Sequence, residues 1–180
     1  MSKVTIAGDV NGTGVFTIAA PNGNTNRTLT LPDEAGTMAL QGGAGVGKVL
    51  QVVSANTTTS AATTSTSFVT TAFSASITPT SATSKIFIIV AGGVFRTSTT
   101  NQGYLTIYRG AINLGDVNRG LYQVYSAGGS TDFPISISAY DAPATTAATT
   151  YTIYVRTSSG TSTFEIDAAA CTLTLMEIAA

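Results

Sequence analysis

The sequence predicts an all-β chain: a short N-terminal β module followed by a C-terminal β-sandwich or jelly roll. Three observations carry this. Apolar residues recur with period two, as in Tyr151, Ile153 and Val155 against Thr152, Tyr154 and Arg156, which is the alternation of a half-buried strand. No window has an apolar stripe at helical spacing. The connections between apolar runs are rich in Thr, Ser, Ala and Gly, the residues of turns and loops.

The N-terminal elements come first. Ser2–Ile6 has the pattern of a short strand, and Gly8–Gly14 is rich in turn residues. Gly14–Ala20 alternates, with Phe16 and Ile18 on one face and Val15 and Thr17 on the other. Pro21–Asn26 is a turn in which Asn22-Gly23 is a strong hairpin signal. Thr28–Leu31 resumes the alternation with Leu29 and Leu31, and Pro32 removes a backbone donor and ends the strand. Asp33–Gly36 supplies a turn, and Thr37–Leu40 pairs Met38 with Leu40. Such short strands cannot bury their apolar residues alone, and an isolated hairpin is marginal in water. The module therefore needs a partner, and the cheapest is another copy of itself.

Gln41–Gly47 (QGGAGVG) is glycine-rich and flexible. It sets the division: a module at 1–41 for oligomerisation and attachment, a linker at 42–47, and a sandwich at 48–180. Beyond the linker the strands lengthen. They are expected at Lys48–Ser54, Phe68–Ile77, Lys85–Arg96, Tyr104–Arg109, Leu121–Tyr125, Pro134–Tyr140, Tyr151–Thr157, Thr163–Asp167 and Cys171–Ile178. Asn56–Ser67, Thr97–Gly103, Ala127–Thr131, Ala142–Thr150 and Ser158–Ser162 are the expected connections. Strands at this spacing build a two-sheet sandwich or jelly roll.

Composition bounds the chemistry. The chain has 180 residues and only 9% charged residues, against about 25% in ordinary chains. A neutral, hydroxyl-rich surface tolerates extensive contact with sister chains. Eight scattered Lys and Arg form no stripe to neutralise phosphates, so no nucleic-acid partner is expected. Histidine is absent, which removes the commonest general base and metal ligand. Cys171 is the single cysteine, so it forms no intrachain disulfide and fits a small buried apolar position. The N-terminus lacks an apolar secretion region, and the run Ile86–Phe95 is too short to span a bilayer. Synthesis in the cytoplasm, no signal peptide, no membrane insertion and no cofactor are the expectations.

Few motifs carry chemistry. Gly42–Lys48 (GGAGVGK) has the spacing of a phosphate-binding loop, but Val49 stands where Ser or Thr would hold magnesium, and a strand pattern follows instead of a helix. Asp9–Gly14 has half of a calcium loop, but Ala20 occupies the position of the bidentate acid. Neither is expected to bind, and no metal site is expected. Glu165 and Asp167 share a strand face about 6.5–7 Å apart. Paired carboxylates can cleave glycosides, but a solvated or Arg-paired face accounts for these two, and no enzymatic activity is expected. The seven tyrosines all lie beyond the linker. A tyrosine offers a flat apolar face and a hydroxyl, which suit a sugar ring. Asp116, Asn118, Arg119, Tyr122 and Tyr125 form a candidate glycan-contacting patch; packing between sheets or subunits is the competing use of such tyrosines.

Two stretches carry a resemblance. Arg27, Thr28, Leu29, Thr30, Leu31, Pro32 and then Gly36, Thr37, Met38, Ala39, Leu40 closely resemble a short module of tail fibres and other surface proteins of tailed bacteriophages. In those proteins it is an intertwined β segment built by three chains. Ser76–Ile86, Tyr108–Gly115, Tyr140–Arg156 and Leu173–Ile178 look like C-terminal domains of phage fibre and adsorption proteins, whose layout is similar to tumour-necrosis-factor-like trimeric knobs. The resemblance implies a virion location and a homotrimer with Phe16, Ile18, Leu29, Leu31, Met38 and Leu40 in its shared core. It implies a tail fibre or fibre tip that attaches to the host surface, with a bacterial glycan as ligand and other virion proteins docked through the N-terminal module. A capsid-decorating or head-fibre cement trimer is the alternative. A glycan-cleaving virion enzyme using Glu165 or Asp167 is a remote third.

Overall fold

The computed structural model describes residues 11–13, 23, 48–98, 100–165 and 170–180. The chain divides between Ala39 and Leu40, and the fold given below is that of the second unit. The expected core of Phe16, Ile18, Leu29, Leu31, Met38 and Leu40 and the linker at 42–47 lie outside the described residues, as does Asp167.

The described residues contain no helix and eleven strands. They are β1 (Val49–Thr57), β2 (Ala61–Thr63), β3 (Val69–Ile77), β4 (Lys85–Thr97), β5 (Asn101–Arg109), β6 (Ile112–Asn113), β7 (Tyr122–Ser126), β8 (Thr131–Asp141), β9 (Thr149–Thr157), β10 (Ser162–Glu165) and β11 (Cys171–Ile178). All pair antiparallel, in two sheets. The fold is an all-β sandwich.

The long β4 organises the first sheet. Its Lys85–Ala91 half pairs with β11, and its Val94–Thr97 half pairs with β10, so β10 and β11 lie end to end along one edge. The whole of β8 lies along the other edge. β1 and β2 likewise lie end to end, outside β11 and β10. At the junction Gly92 and Gly93 take positive φ and make a bulge. A Cβ at Gly92 would meet the Ala170 carbonyl oxygen at 2.5 Å, so glycine is required there. The second sheet runs β3, β9, β5, with β7 and β6 sharing the far side of β5.

Counting collinear pieces as one strand, the first sheet orders eight chain positions 1-8-3-6 and the second orders them 2-7-4-5. Inward residues alternate strictly in β9 and β11. Phe73, Ile77, Ile86, Ile88, Val90, Phe95, Leu105, Ile107, Ile153, Phe164, Leu173 and Leu175 form the core between the sheets. Cys171 is fully buried there, and burial pushes its thiol up to about 11, so it is an unreactive core residue.

Polar groups close both ends of the core. At one end Asp141 of β8 accepts from the Tyr151 hydroxyl of β9 at 2.7 Å and forms an ion pair with Arg109 of β5, whose Nε lies 2.8 Å away. At the other end Asn101 Nδ2 donates to Thr157 Oγ1 at 2.7 Å, and Ser162 Oγ of the first sheet donates to the same Thr157 oxygen at 3.1 Å. Gly103 sits beside this network because a Cβ would meet Phe95 Cε1 at 2.6 Å. Glu177 is fully buried on β11. It accepts from Gln51 Nε2 at 2.6 Å and from Thr80 N and Oγ1, each at 2.7 Å.

The outer faces of the two sheets differ. On the first, register places Val52, Met176, Phe87 and Tyr140 side by side across β1, β11, β4 and β8. On the second, the outward residues of β5 and β9 are tyrosines, threonines, a glutamine and an arginine.

A candidate ligand cleft on the outer face of the second sheet

Pairing of β5 with β9 sets the site. Arg156 lies opposite Tyr104, Tyr154 opposite Thr106, and Thr152 opposite Tyr108, all facing outward. The side chains fill this surface diagonally, as neighbouring strands allow. The Tyr108 and Tyr154 rings stack with centroids 4.1 Å apart, and Phe68 meets Tyr108 edge-on at 6.3 Å. Arg156 lies over the Tyr104 ring at 4.1 Å and over Phe68 at 5.5 Å. Guanidinium above an aromatic face is a cation–π contact, and it leaves Tyr104 buried beneath the arginine.

A loop from Leu114 to Leu121 forms the wall. Asp116 and Gly120 exchange both backbone bonds, at 3.1 and 2.8 Å. Asp116 Oδ1 accepts from the backbone N–H groups of Asn118 at 2.9 Å and Arg119 at 2.7 Å, an Asx turn. Those bonds hold the Asp116 carboxyl below its ordinary pKa, more than the neighbouring Arg119 and Arg156 charges do. Asn113 Oδ1 accepts from Thr106 Oγ1 at 2.6 Å and from Gly115 N at 3.0 Å. Leu121 N donates to Leu105 O at 3.0 Å. Gly120 has φ +68, and a Cβ there would meet Leu105 O at 2.6 Å. Only glycine lets the loop lie this close to β5.

Arg156 ties the loop to the strands. Nη1 donates to Thr66 O at 2.9 Å, and Nη2 donates to Asn118 O. Thr66, Ser67, Phe68, Tyr108, Val117, Asn118 and Arg156 then line an open cleft of about 320 Å³. Val117 at the loop tip is 75% exposed. The exposed lining is mainly polar, with hydroxyl, amide and carbonyl groups beside Phe68 and Tyr108, while the Arg156 guanidinium is already bonded to two carbonyls. Aromatic rings beside such polar groups are the kind of surface that suits a sugar ring.

Of the five residues proposed from sequence, Asp116, Asn118 and Arg119 fall together in the loop, and Asn118 lines the cleft. Tyr125 pairs with Gln102 on the same outer face and is 53% exposed. Tyr122 pairs with Leu105 and turns the other way, against the core. Its hydroxyl donates to Pro134 O at 3.0 Å, and burial raises its pKa. Sequence reasoning left out Phe68, Tyr108, Tyr154 and Arg156. The available signal was the face Thr152, Tyr154, Arg156, which alternation assigns away from the core; the register that sets Tyr108 beside it is a tertiary fact.

Elsewhere chemistry is sparse. Glu165 ends β10. Among the described residues no group of three or more His, Cys, Asp and Glu side chains could hold a metal ion, and no helix is long and apolar enough to cross a membrane.

No protein-family model matches the chain, and no curated protein matches it significantly.

Proposed function

We propose that this protein is a bacteriophage virion structural protein, a homotrimeric tail fibre or fibre tip that attaches to a glycan on the host surface. The observation that carries the attachment role is the aromatic cleft, in which Phe68 and Tyr108 stand beside Arg156 and Asn118. The virion assignment draws on the Arg27–Leu40 resemblance, and the strand order is compatible with it. Orders 1-8-3-6 and 2-7-4-5 favour a jelly-roll reading, an architecture used by viral capsid and lectin domains, and we infer a knob of the tumour-necrosis-factor-like kind. The virion partners dock through residues 1–41, and binding needs no cofactor.

The test is binding of the labelled full-length protein to host cells and to surface polysaccharide. Wild type should bind saturably. Tyr108→Ala, which trims an outward side chain, should weaken binding by about tenfold or more, the loss of one stacked aromatic, with unchanged circular dichroism. Equal binding by wild type and Tyr108→Ala removes the cleft from the mechanism. A second reading, a capsid-decorating trimer, is favoured by the low charge of 9%, which suits close packing on a shell. Absence of cell binding, with the protein seen on the head in virion images, selects that reading.

A further inference from the structure

The outer face of the second sheet continues past the cleft. On β5, Gly103 and Leu105 face the core, so Gln102 and Tyr104 point outward. On β7, Val124 is in the core, so Gln123 and Tyr125 point outward. Register sets Tyr125 opposite Gln102 and Gln123 opposite Tyr104, with Arg156 on the other side of Tyr104. Gln102 Oε1 accepts from the Tyr104 hydroxyl and from Gln123 Nε2, the latter at 3.1 Å. Both lone pairs of that oxygen are then used, and the amide is fixed in one orientation. Among the described residues the two N–H groups of Gln102 Nε2 and the Gln123 Oε1 acceptor have no partner, beside a Tyr125 ring that is 53% exposed.

We propose that Gln102, Gln123 and Tyr125 form a second sugar subsite beside the cleft, so that the ligand of this face is a glycan of several linked sugars rather than a single terminal one. The proposal rests on the glycan reading of the cleft and adds a subsite and a ligand length to it. Three observations select this ligand. The first is chemistry. An amide donor and an amide acceptor held next to an open aromatic ring match neighbouring sugar hydroxyls and the apolar face of the same sugar. The bonds from Tyr104 and Gln123 already order Gln102, which lowers the cost of ordering it on binding. None of the three side chains is a carboxylate or a cation, so the subsite suits a neutral, hydroxyl-bearing unit. The second is continuity. The cleft wall Leu114–Leu121 runs directly into β7. Tyr104 belongs to both places: Arg156 covers its ring, and its hydroxyl fixes Gln102. The third is distance. Arg156 on β9 and Tyr125 on β7 are two strands apart and two residues apart along the strands, about 12 Å. One sugar ring does not reach both, whereas a short chain of sugars does.

The test is titration of the full-length protein with host surface polysaccharide, cut by mild acid and sorted by length. Wild type should bind long fragments at least about tenfold more tightly than mono- and disaccharides, the gain from a second contact on the same ligand. Tyr125→Ala and Gln123→Ala trim outward side chains of β7, which pairs with β5 alone, and should keep the wild-type circular dichroism. Each should bind short fragments as wild type does and lose most of the gain with length. Hydrogen exchange of the wild type is a readout free of substitution: β7 amides should slow with long fragments and not with short ones. Wild-type binding that does not depend on length overturns the proposal and leaves the cleft reading standing. So do variants that bind long fragments as wild type does, or that are weakened equally for short and long ones. No binding of wild type to any fragment or to the intact polysaccharide overturns both.

Discussion

Tyr151 on β9 and Asp141 on β8 join the two sheets through one hydrogen bond of 2.7 Å at the edge of the core. Tyr151 is fully buried, so its hydroxyl has this carboxylate as the place to donate. Burial first, and then the Asp141 hydrogen bond and charge, push the phenol far above its ordinary range. Arg109 on β5 supplies the countercharge to Asp141 at 2.8 Å. A buried carboxylate with a hydroxyl donor and a countercharge, both from the opposite sheet, ties the sheets together at this end. Tyr151→Phe should therefore lower stability by about 1.5–3 kcal/mol, the range for a hydrogen bond to a charged group. Thermal unfolding should show a drop of about 5–10 °C. Asp141→Ala should cost more, because it strands the Arg109 charge as well.

Glu177 makes stability depend on acid. Its burial alone would raise the pKa, but hydrogen bonds from Gln51 Nε2 and from Thr80 N and Oγ1 outweigh that and lower it from 4.5 to about 2. A carboxyl whose pKa falls on folding stabilises the fold fully above the unfolded value, and that contribution is lost as pH drops through the folded one. The window is therefore pH 4.5 down to about 2. Across it the loss is on the order of 3 kcal/mol. Urea midpoints at pH 7, 4.5 and 2.5 should fall mainly over the last interval. In Glu177→Gln the midpoint should be lower at pH 7 and flatter over that interval.

The strands were legible where one face is buried. Tyr151, Ile153 and Val155 point inward and Thr152, Tyr154 and Arg156 outward, as alternation requires. Pro134 was expected to start a strand, yet β8 begins at Thr131. The proline is tolerated because β8 is an edge strand, paired with β4 alone. Asn101–Gly103 reads as loop from composition but is the start of β5. Its polar Asn101 is satisfied by Thr157, and Gly103 makes room for Phe95. β2, Ala61–Thr63, hides in a Thr/Ser-rich stretch because its order comes from pairing with β10. The cleft was half legible: Asn118 was named from its loop, while Phe68 and Tyr108 meet only through pairing that a single sequence does not display.

Gly120 links backbone strain to the cleft. Its φ of +68 and the 2.6 Å approach of Leu105 O to a Cβ leave no room for alanine. Gly120→Ala should cost about 1–3 kcal/mol from the left-handed φ and the backbone clash together. The Asp116–Gly120 bonds should open first, moving Val117 and Asn118. Chemical denaturation should register the stability loss. Glycan or cell binding should fall with it even at temperatures where the variant remains folded.

Arg156 holds the cleft by geometry as much as by charge. Its guanidinium stacks on Tyr104 at 4.1 Å while its two terminal nitrogens reach Thr66 O and Asn118 O on separate loops. A lysine ammonium is a compact point donor and cannot span both carbonyls while lying flat on the ring. Arg156→Lys keeps the charge, so it separates the two roles. If geometry governs, the variant should lose about 1 kcal/mol of stability and bind glycan several-fold more weakly at every ionic strength. If charge alone governs, Arg156→Lys should bind like wild type at low salt, and raising the salt should weaken both proteins equally. Binding isotherms at two salt concentrations decide between them, and the stacked, doubly anchored guanidinium leads us to expect the first outcome.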